Sequence, residues 1–333
     1  MTDLHDLSTT QLLAQFASRT LSPLDYYEHL LAHVGRWEPH IRALYAFDPE
    51  QVRLQARAAT ERWNKGAPNG PLDGIPVTIK ELIATQGTPI PLGSAATTLK
   101  PALQDAPPAA RMREAGAIIL AKTTVPDFGM LSSGLSSFHG ITRNPWNTAC
   151  NTGGSSSGAA AAAAAGYGPL HIGTDIGGSV RLPAAWCGLV GFKPTLGRIP
   201  IDPYYTGRCA GPMTRSVDDA VLLMRHLARP DARDATSLPP LTGEWSDAPV
   251  SVNGLKIGLM LEPGAGLQPE GFVCAAVEQA ARLFESHGAQ VRTLAPIMDR
   301  AQLDGLDRFW RARQWAELSA LGAEQFAKVL PYI

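Results

Sequence analysis

The chain has 333 residues, 45% of them hydrophobic and 18% charged, enough apolar material to bury one large core or two ordinary ones. With 29 basic against 30 acidic residues its formal charge is -1, so it carries no broad positive field, which argues against nucleic acid or an anionic membrane surface as the main ligand. The four cysteines, Cys150, Cys187, Cys209 and Cys274, form no Cys-x-x-Cys pair, and Met1-Thr2-Asp3-Leu4-His5-Asp6 has neither the basic start nor the apolar run of a signal peptide. No apolar segment reaches membrane length, so a cytoplasmic protein with no membrane span, zinc knuckle or disulfide frame is expected.

Residues 1–65 read as a helical arm. Ser22-Pro23-Leu24-Asp25 places a capping serine, a proline at the first helical position and an acid in the first turn. After a Gly/Pro-rich turn, residues 74–80 predict a short buried strand with Lys80 at its C-terminal end. Residues 109–115 predict a helix stopped by Gly116, and 117–121 a continuous apolar strand of the parallel-sheet kind. The same order returns as strand 255–261, helix 272–287, stop at Gly288 and strand 289–294. Such alternation predicts one domain of the α/β class over 1–333, an α/β/α layered fold with a mixed, largely parallel central sheet. Residues 66–228 form its core, 229–252 a Pro-, Asp- and Ser-rich surface connection, and 253–333 a C-terminal α/β part.

From Gly153 to Gly178, 18 of 26 residues are Gly, Ser or Ala, which in isolation also fits a flexible linker. Its surroundings, with Ile172, Ile176, Trp186 and Cys187, fit better with backbone that must approach backbone or ligand closely, and Ala159 to Ala165 with one buried helix. Two glycines precede a serine twice, in Gly153-Gly154-Ser155 and Gly177-Gly178-Ser179, and each seats a hydroxyl on a tight turn. In the second, the N–H groups of Ile176, Gly177, Gly178 and Ser179 can converge as an oxyanion hole.

A serine nucleophile needs a base. His29 and His33 share a helix at metal-capable spacing, but no Glu stands in the metalloprotease position, and a structural pair is expected. His171 sits in apolar sequence as a core residue, and no other histidine stands out. Lys80 is the lysine best placed at a strand end, where α/β sites gather, although an exposed lysine reads the same way there. To act as a base it must be neutral, and burial can lower a lysine by about 3–5 units.

At these residues the sequence resembles the amidase signature family. The resemblance rests on Gly153-Gly154-Ser155-Ser156, on Gly173-Thr174-Asp175-Ile176-Gly177-Gly178-Ser179-Val180-Arg181, and on Pro183-Ala184-Ala185, Cys187-Gly188 and Lys193-Pro194-Thr195. Leu72-Asp73-Gly74-Ile75-Pro76 with Lys80, and Thr142-Arg143-Asn144-Pro145-Trp146-Asn147, look like its flanking segments. It implies a Ser-cisSer-Lys triad of Ser179, Ser155 and Lys80, an oxyanion hole of Ile176, Gly177 and Gly178, and an acyl-serine intermediate. The implied substrate is a small-molecule amide, with no metal or organic cofactor, no nucleic acid and no membrane, and with a homodimer as the assembly to test. Ser156 and Asp175 are expected to brace the site, Asp175 by pairing with Arg181, which is the alternative to Arg181 meeting a substrate carboxylate. Met130 falls where the resemblance places a pocket wall, with a buried core methionine as the alternative. Ser157 departs from the family's usual glycine and is expected to stiffen its loop. The family is longer, so its C-terminal part is expected to be incomplete here.

Three other readings stay open. Gly154-Ser155-Ser156-Ser157-Gly158 also satisfies Gly-x-Ser-x-Gly, which would promote Ser156, though the residues before it read as loop rather than strand. The chain could be the amidase subunit of a tRNA-dependent amidotransferase. It could also be a non-catalytic remnant that acts as a binding module.

Overall fold

The computed structural model describes residues 3–333. They fall into two compact units, one running to Asp247 and including Ala327–Ile333, the other Ala248–Phe326. The division lies inside the 229–252 connection.

In the larger unit, helices α1 (Thr9–Ser18), α2 (Pro23–Ile41) and α3 (Pro49–Asn64) make up the N-terminal arm. Their starts are set locally. Ser8 and Gln11 form a capping box, Ser22 Oγ accepts from the Asp25 N–H, and Asp48 accepts from the N–H groups of Glu50 and Gln51. Tyr26, Tyr27, Leu30, Leu31, Val34 and Ile41 turn one face of α2 into the core. Further on come α4 (Pro107–Glu114), α5 (Ser157–Ala164), α6 (Arg181–Trp186) and α7 (Val217–Leu227).

The strands of this unit are β1 (Leu44–Tyr45), β2 (Pro76–Lys80), β3 (Ile118–Thr123), β4 (Leu135–Ser136), β5 (Gly140–Ile141), β6 (Arg143–Asn144), β7 (Asn147–Asn151), β8 (Leu170–Asp175), β9 (Val190–Gly191) and β10 (Cys209–Thr214). Six form the main sheet in the order β1-β3-β2-β8-β10-β9, while β4–β5 and β6–β7 are separate two-stranded ribbons. The sheet is mixed as expected. Its parallel pairings join β3, β2 and β8, and the flanking pairs β1–β3, β8–β10 and β10–β9 are antiparallel. Every residue of β2 and of β8 is buried, including the polar Thr78, Lys80, His171, Thr174 and Asp175. Because β2 and β8 are parallel, their C-terminal ends, Lys80 and Asp175, lie at the same edge of the sheet.

Helix α5 is built almost wholly from buried small residues. A Cβ on Gly158 would lie 2.3 Å from the Ala43 carbonyl oxygen and 2.3 Å from the Thr124 nitrogen, both backbone atoms. Gly158→Ala is therefore expected to destabilise the protein by about 3 kcal/mol or more, since backbone cannot yield as a side chain can. Urea denaturation will read this, and an unchanged midpoint would show that the helix has room to slide. Ser157 donates its hydroxyl to the Thr124 carbonyl at 3.1 Å, tying the same turn to the end of β3.

The smaller unit is a βαβ element. Strands β11 (Lys256–Leu259) and β12 (Gln290–Thr293) pair in parallel through α8 (Gly271–Ser286), followed by α9 (Arg300–Ser319) and α10 (Ala323–Phe326). Of α8 only Ala281 is buried, and Phe272 is 71% and Leu283 61% exposed.

Candidate active site

Lys80 ends β2 with its side chain wholly buried. Its Nζ donates to Ser155 Oγ at 2.9 Å, to Ser156 Oγ at 2.9 Å and to the Thr174 carbonyl at 3.3 Å. Burial pushes this amine well below the ordinary lysine range, and the Arg208 charge pushes the same way, against Asp175 and Glu81. The exposed-lysine reading is thereby removed.

Ser155 is reached through a cis Gly154–Ser155 peptide bond and is 3% exposed. Gly154 is required by contact, since a Cβ there would lie 2.4 Å from the Ser133 carbonyl oxygen. Ser156 is fully buried, and its hydroxyl donates to the Thr174 carbonyl at 3.1 Å and accepts from the Thr174 N–H at 3.2 Å as well as from Lys80. A hydroxyl so engaged is a brace, which disfavours the Gly-x-Ser-x-Gly reading. The Ser156 N–H donates to the Ser179 carbonyl at 3.1 Å, which joins the two Gly-Gly-Ser turns.

Ser179 is half-buried on the turn after β8. Asp175 organises that turn. Its carboxylate accepts from the Gly178 N–H at 2.8 Å, the Val180 N–H at 3.1 Å, and Arg181 Nε and Nη2 at 3.0 and 2.9 Å. Burial alone would raise Asp175, but the Arg181 pairing and the two N–H groups outweigh it and leave the carboxyl below its usual range. Two consequences follow for residues named from the sequence. The Gly178 N–H, expected among the oxyanion donors, is engaged by Asp175, whereas Ile176 and Gly177 lie on the more open part of the turn. Arg181 has its guanidinium on Asp175, with about half of the side chain exposed.

Met130 is half-buried and follows the turn Asp127–Gly129, in which Phe128 has φ of +52°. A Cβ on Gly129 would lie 3.6 Å from Ser155 Oγ, so this loop borders the Ser155 hydroxyl.

His29, His33 and His171 stay outside this arrangement. His171 bonds Thr78 Oγ1 and the Gly168 carbonyl and is pushed down to about 3 by burial, so it is a neutral core residue. His33 contacts the Ala165 carbonyl at 2.6 Å and stacks on His5, which shares a hydrogen bond with His29.

Sequence reasoning missed two charges that act on Lys80, Arg208 and Glu81, and a second buried lysine, Lys122. Arg208 precedes Cys209, the register partner of Asp175, and sits over the Tyr205 ring in a loop with no local signal. Glu81 is buried directly beside Lys80. Its charge, in what was otherwise read as an apolar strand end, was the available clue. Lys122, on β3, is buried with its Nζ donating to Thr85 Oγ1 at 2.7 Å and to the Ile83 carbonyl.

Burial pushes Lys122 down to about 7. The unfolded chain binds a proton there up to a pKa of about 10.4, so between about pH 7 and 10.4 it holds more protons than the folded state. Stability from this group is full above that window and is lost as pH falls toward 7. In Lys122→Met, the slope of unfolding free energy between pH 8 and 9.5 is expected to fall by about 1.4 kcal/mol per pH unit, one proton's worth. Urea titrations across that range check it, and an unaltered slope would show that Lys122 stays charged.

Comparison with known proteins identifies the family. A family model described as Amidase matches residues 25–311. An acylamidase of Rhodococcus erythropolis is 38% identical over 300 residues, which cover 88% of this chain and 62% of that protein. The A-type subunit of the glutamyl-tRNA(Gln) amidotransferase of Chloroflexus aggregans (strain MD-66 / DSM 9485) is 38% identical over 297 residues, 86% of this chain and 61% of the relative. The crystal structure of a bacterial aryl acylamidase of the amidase signature family superposes with a TM-score of 0.91 at 30% identity, covering 99% of this chain and 71% of that one. The chain thus spans about three fifths of the length of the curated relatives it matches. Among the described residues no helix is long and apolar enough to cross a membrane. With its paired Gly-Gly-Ser turns, buried lysine, mixed sheet and these matches, the chain belongs to the amidase signature family.

Proposed function

We propose that the chain works as one amidase domain that hydrolyses the carboxamide bond of a small molecule through an acyl-serine intermediate. The observation that carries the reading is the buried Lys80 amine 2.9 Å from Ser155 Oγ. Neutral Lys80 takes the proton of Ser155, and Ser155 takes that of Ser179. Ser179 Oγ then attacks the carbonyl carbon, and N–H groups of Ile176, Gly177 and Ser179 hold the oxyanion. The relay returns the proton to the leaving nitrogen as the C–N bond breaks, releasing ammonia or an amine. Water, deprotonated through the same relay, hydrolyses the ester and frees the acid. Aliphatic and aryl amides, ureas and carbamates all fit this chemistry. The free thiols fit a reducing compartment, and the cytoplasm is proposed as the location.

The test is a fluorophosphonate probe followed by peptide mapping, with adduct expected on Ser179. Adduct on Ser156 would overturn the assignment. Similarity to the A-type subunit of an amidotransferase supports a second reading, glutamine hydrolysis in a complex. Glutaminase activity that appears only with added partner subunits would favour it over a free amidase.

A further inference from the structure

We infer that Glu81, together with His139, is a positioning residue for this site, a buried clamp that fixes the strand end carrying Lys80 to the loops that close around Ser155. The inference rests on the Ser179–Ser155–Lys80 reading above.

Glu81 follows Lys80 directly, and its own N–H donates to the Thr123 carbonyl at 3.0 Å, continuing the pairing of β2 with β3. Its side chain has no exposed surface. A carboxylate taken wholly out of water is tolerated only when its oxygens are matched by donors, and here three donors converge. Oε1 accepts from the Leu92 N–H at 2.8 Å, and Oε2 accepts from the Gly93 N–H at 2.8 Å and contacts His139 Nε2 at 2.9 Å. The His139 ring is 5% exposed and packs edge-on against Tyr45.

These donors sit on two loops. The Gly93 carbonyl accepts from Ser136 Oγ at 2.6 Å, so the 91–94 turn and the 136–139 turn are closed on each other as well as on Glu81. The Leu92 carbonyl accepts from the Phe128 N–H at 2.6 Å. Phe128 leads into Gly129, whose backbone borders the Ser155 hydroxyl. Two hydrogen bonds, Glu81 to Leu92 and Leu92 to Phe128, therefore connect the carboxylate to the wall beside Ser155. Leu92 and Phe128 both sit in the left-handed region, at φ of +53° and +52°, which non-glycine residues hold only when the surroundings over-determine them.

Geometry and charge can be separated, because Glu81 is also one of the charges that Lys80 meets. Arg208 and Asp175 are the others that face Lys80, and Lys122, Tyr45 and His139 face Glu81. Glu81→Asp keeps the anion but withdraws it by about one methylene. It is expected to lower kcat about tenfold and leave the acid limb of kcat/KM in place. Glu81→Gln keeps the length but removes the anion that favours protonated Lys80. It is expected to lower kcat and to move the acid limb to lower pH, a change that loosened packing alone would not produce.

The experiment measures kcat/KM against pH and thermal midpoints for both variants, with Ser179→Ala as reference. If both fold, keep kcat/KM within twofold and leave the limb unmoved while Ser179→Ala is inactive, the clamp is overturned and the triad reading stands. If Ser179→Ala remains active, the triad reading itself fails. Should the Glu81 variants not fold, His139→Leu and His139→Gln carry the test at the outer end of the clamp. Leu removes the donor and is expected to lower kcat about tenfold, and Gln supplies a donor and restores it. A His139→Leu protein as active as the parent overturns the proposal.

Discussion

Ser179→Ala is expected to lower amide hydrolysis by about 10^4-fold or more while the protein stays folded. The turn around Ser179 is held by backbone and by Asp175, through the N–H groups of Gly178 and Val180, the Arg181 guanidinium, and the Ser156 N–H on the Ser179 carbonyl. Alanine keeps all of these contacts and deletes only the hydroxyl that would carry the acyl group. The residue of activity should be what positioning and oxyanion donors alone provide. Steady-state rates with a chromogenic anilide, paired with circular dichroism, read the effect, and fluorophosphonate labelling should vanish in parallel. A folded Ser179→Ala protein within tenfold of the parent would remove the residue as nucleophile.

Lys80→Ala should cost about 10^2- to 10^4-fold, the range for loss of a positioned general base. A neutral amine is required for the base role, and this environment favours it through burial, reinforced by the Arg208 charge and opposed by Asp175 and Glu81. The parent's kcat/KM should accordingly rise with pH along an acid limb well below the ordinary lysine value of about 10.4, because deprotonating Lys80 switches the relay on. That limb should be missing from the residual activity of Lys80→Ala. A pH–rate profile of the two proteins decides it. A variant with the parental rate, or with the same limb, would show that another group takes the proton from Ser155.

The two expectations rest on residues that were legible to different degrees. Ser155 and Ser179 stand out because glycine pairs announce tight turns, and the structure adds the reason at Gly154, where a Cβ would meet the Ser133 carbonyl oxygen. Lys80 was one of seven lysines, and periodicity could place it at a strand end without showing whether the amine was buried or in water. Asp175 and Arg181 are six positions apart on one turn, close enough for their pairing to be anticipated. The engagement of the Gly178 N–H by Asp175 was not, because a side-chain acceptor that captures a backbone donor leaves no mark on composition.

By itself, the sequence determined the local units of this protein. Ser8, Ser22 and Asp48 start helices, the apolar run 117–121 leads into β3, and Gly158 with its alanines makes a helix thin enough to lie against backbone. Each acts on chain neighbours or through a steric demand that glycine alone meets. Only the tertiary structure decided what the site is electrically. Lys80 meets Ser155 from 75 positions away and Thr174 from 94, and its proton affinity depends on the water removed by that packing and on charges from Arg208, Asp175 and Glu81. Desolvation and convergent charge belong to the folded arrangement, so no stretch of the chain carries them alone.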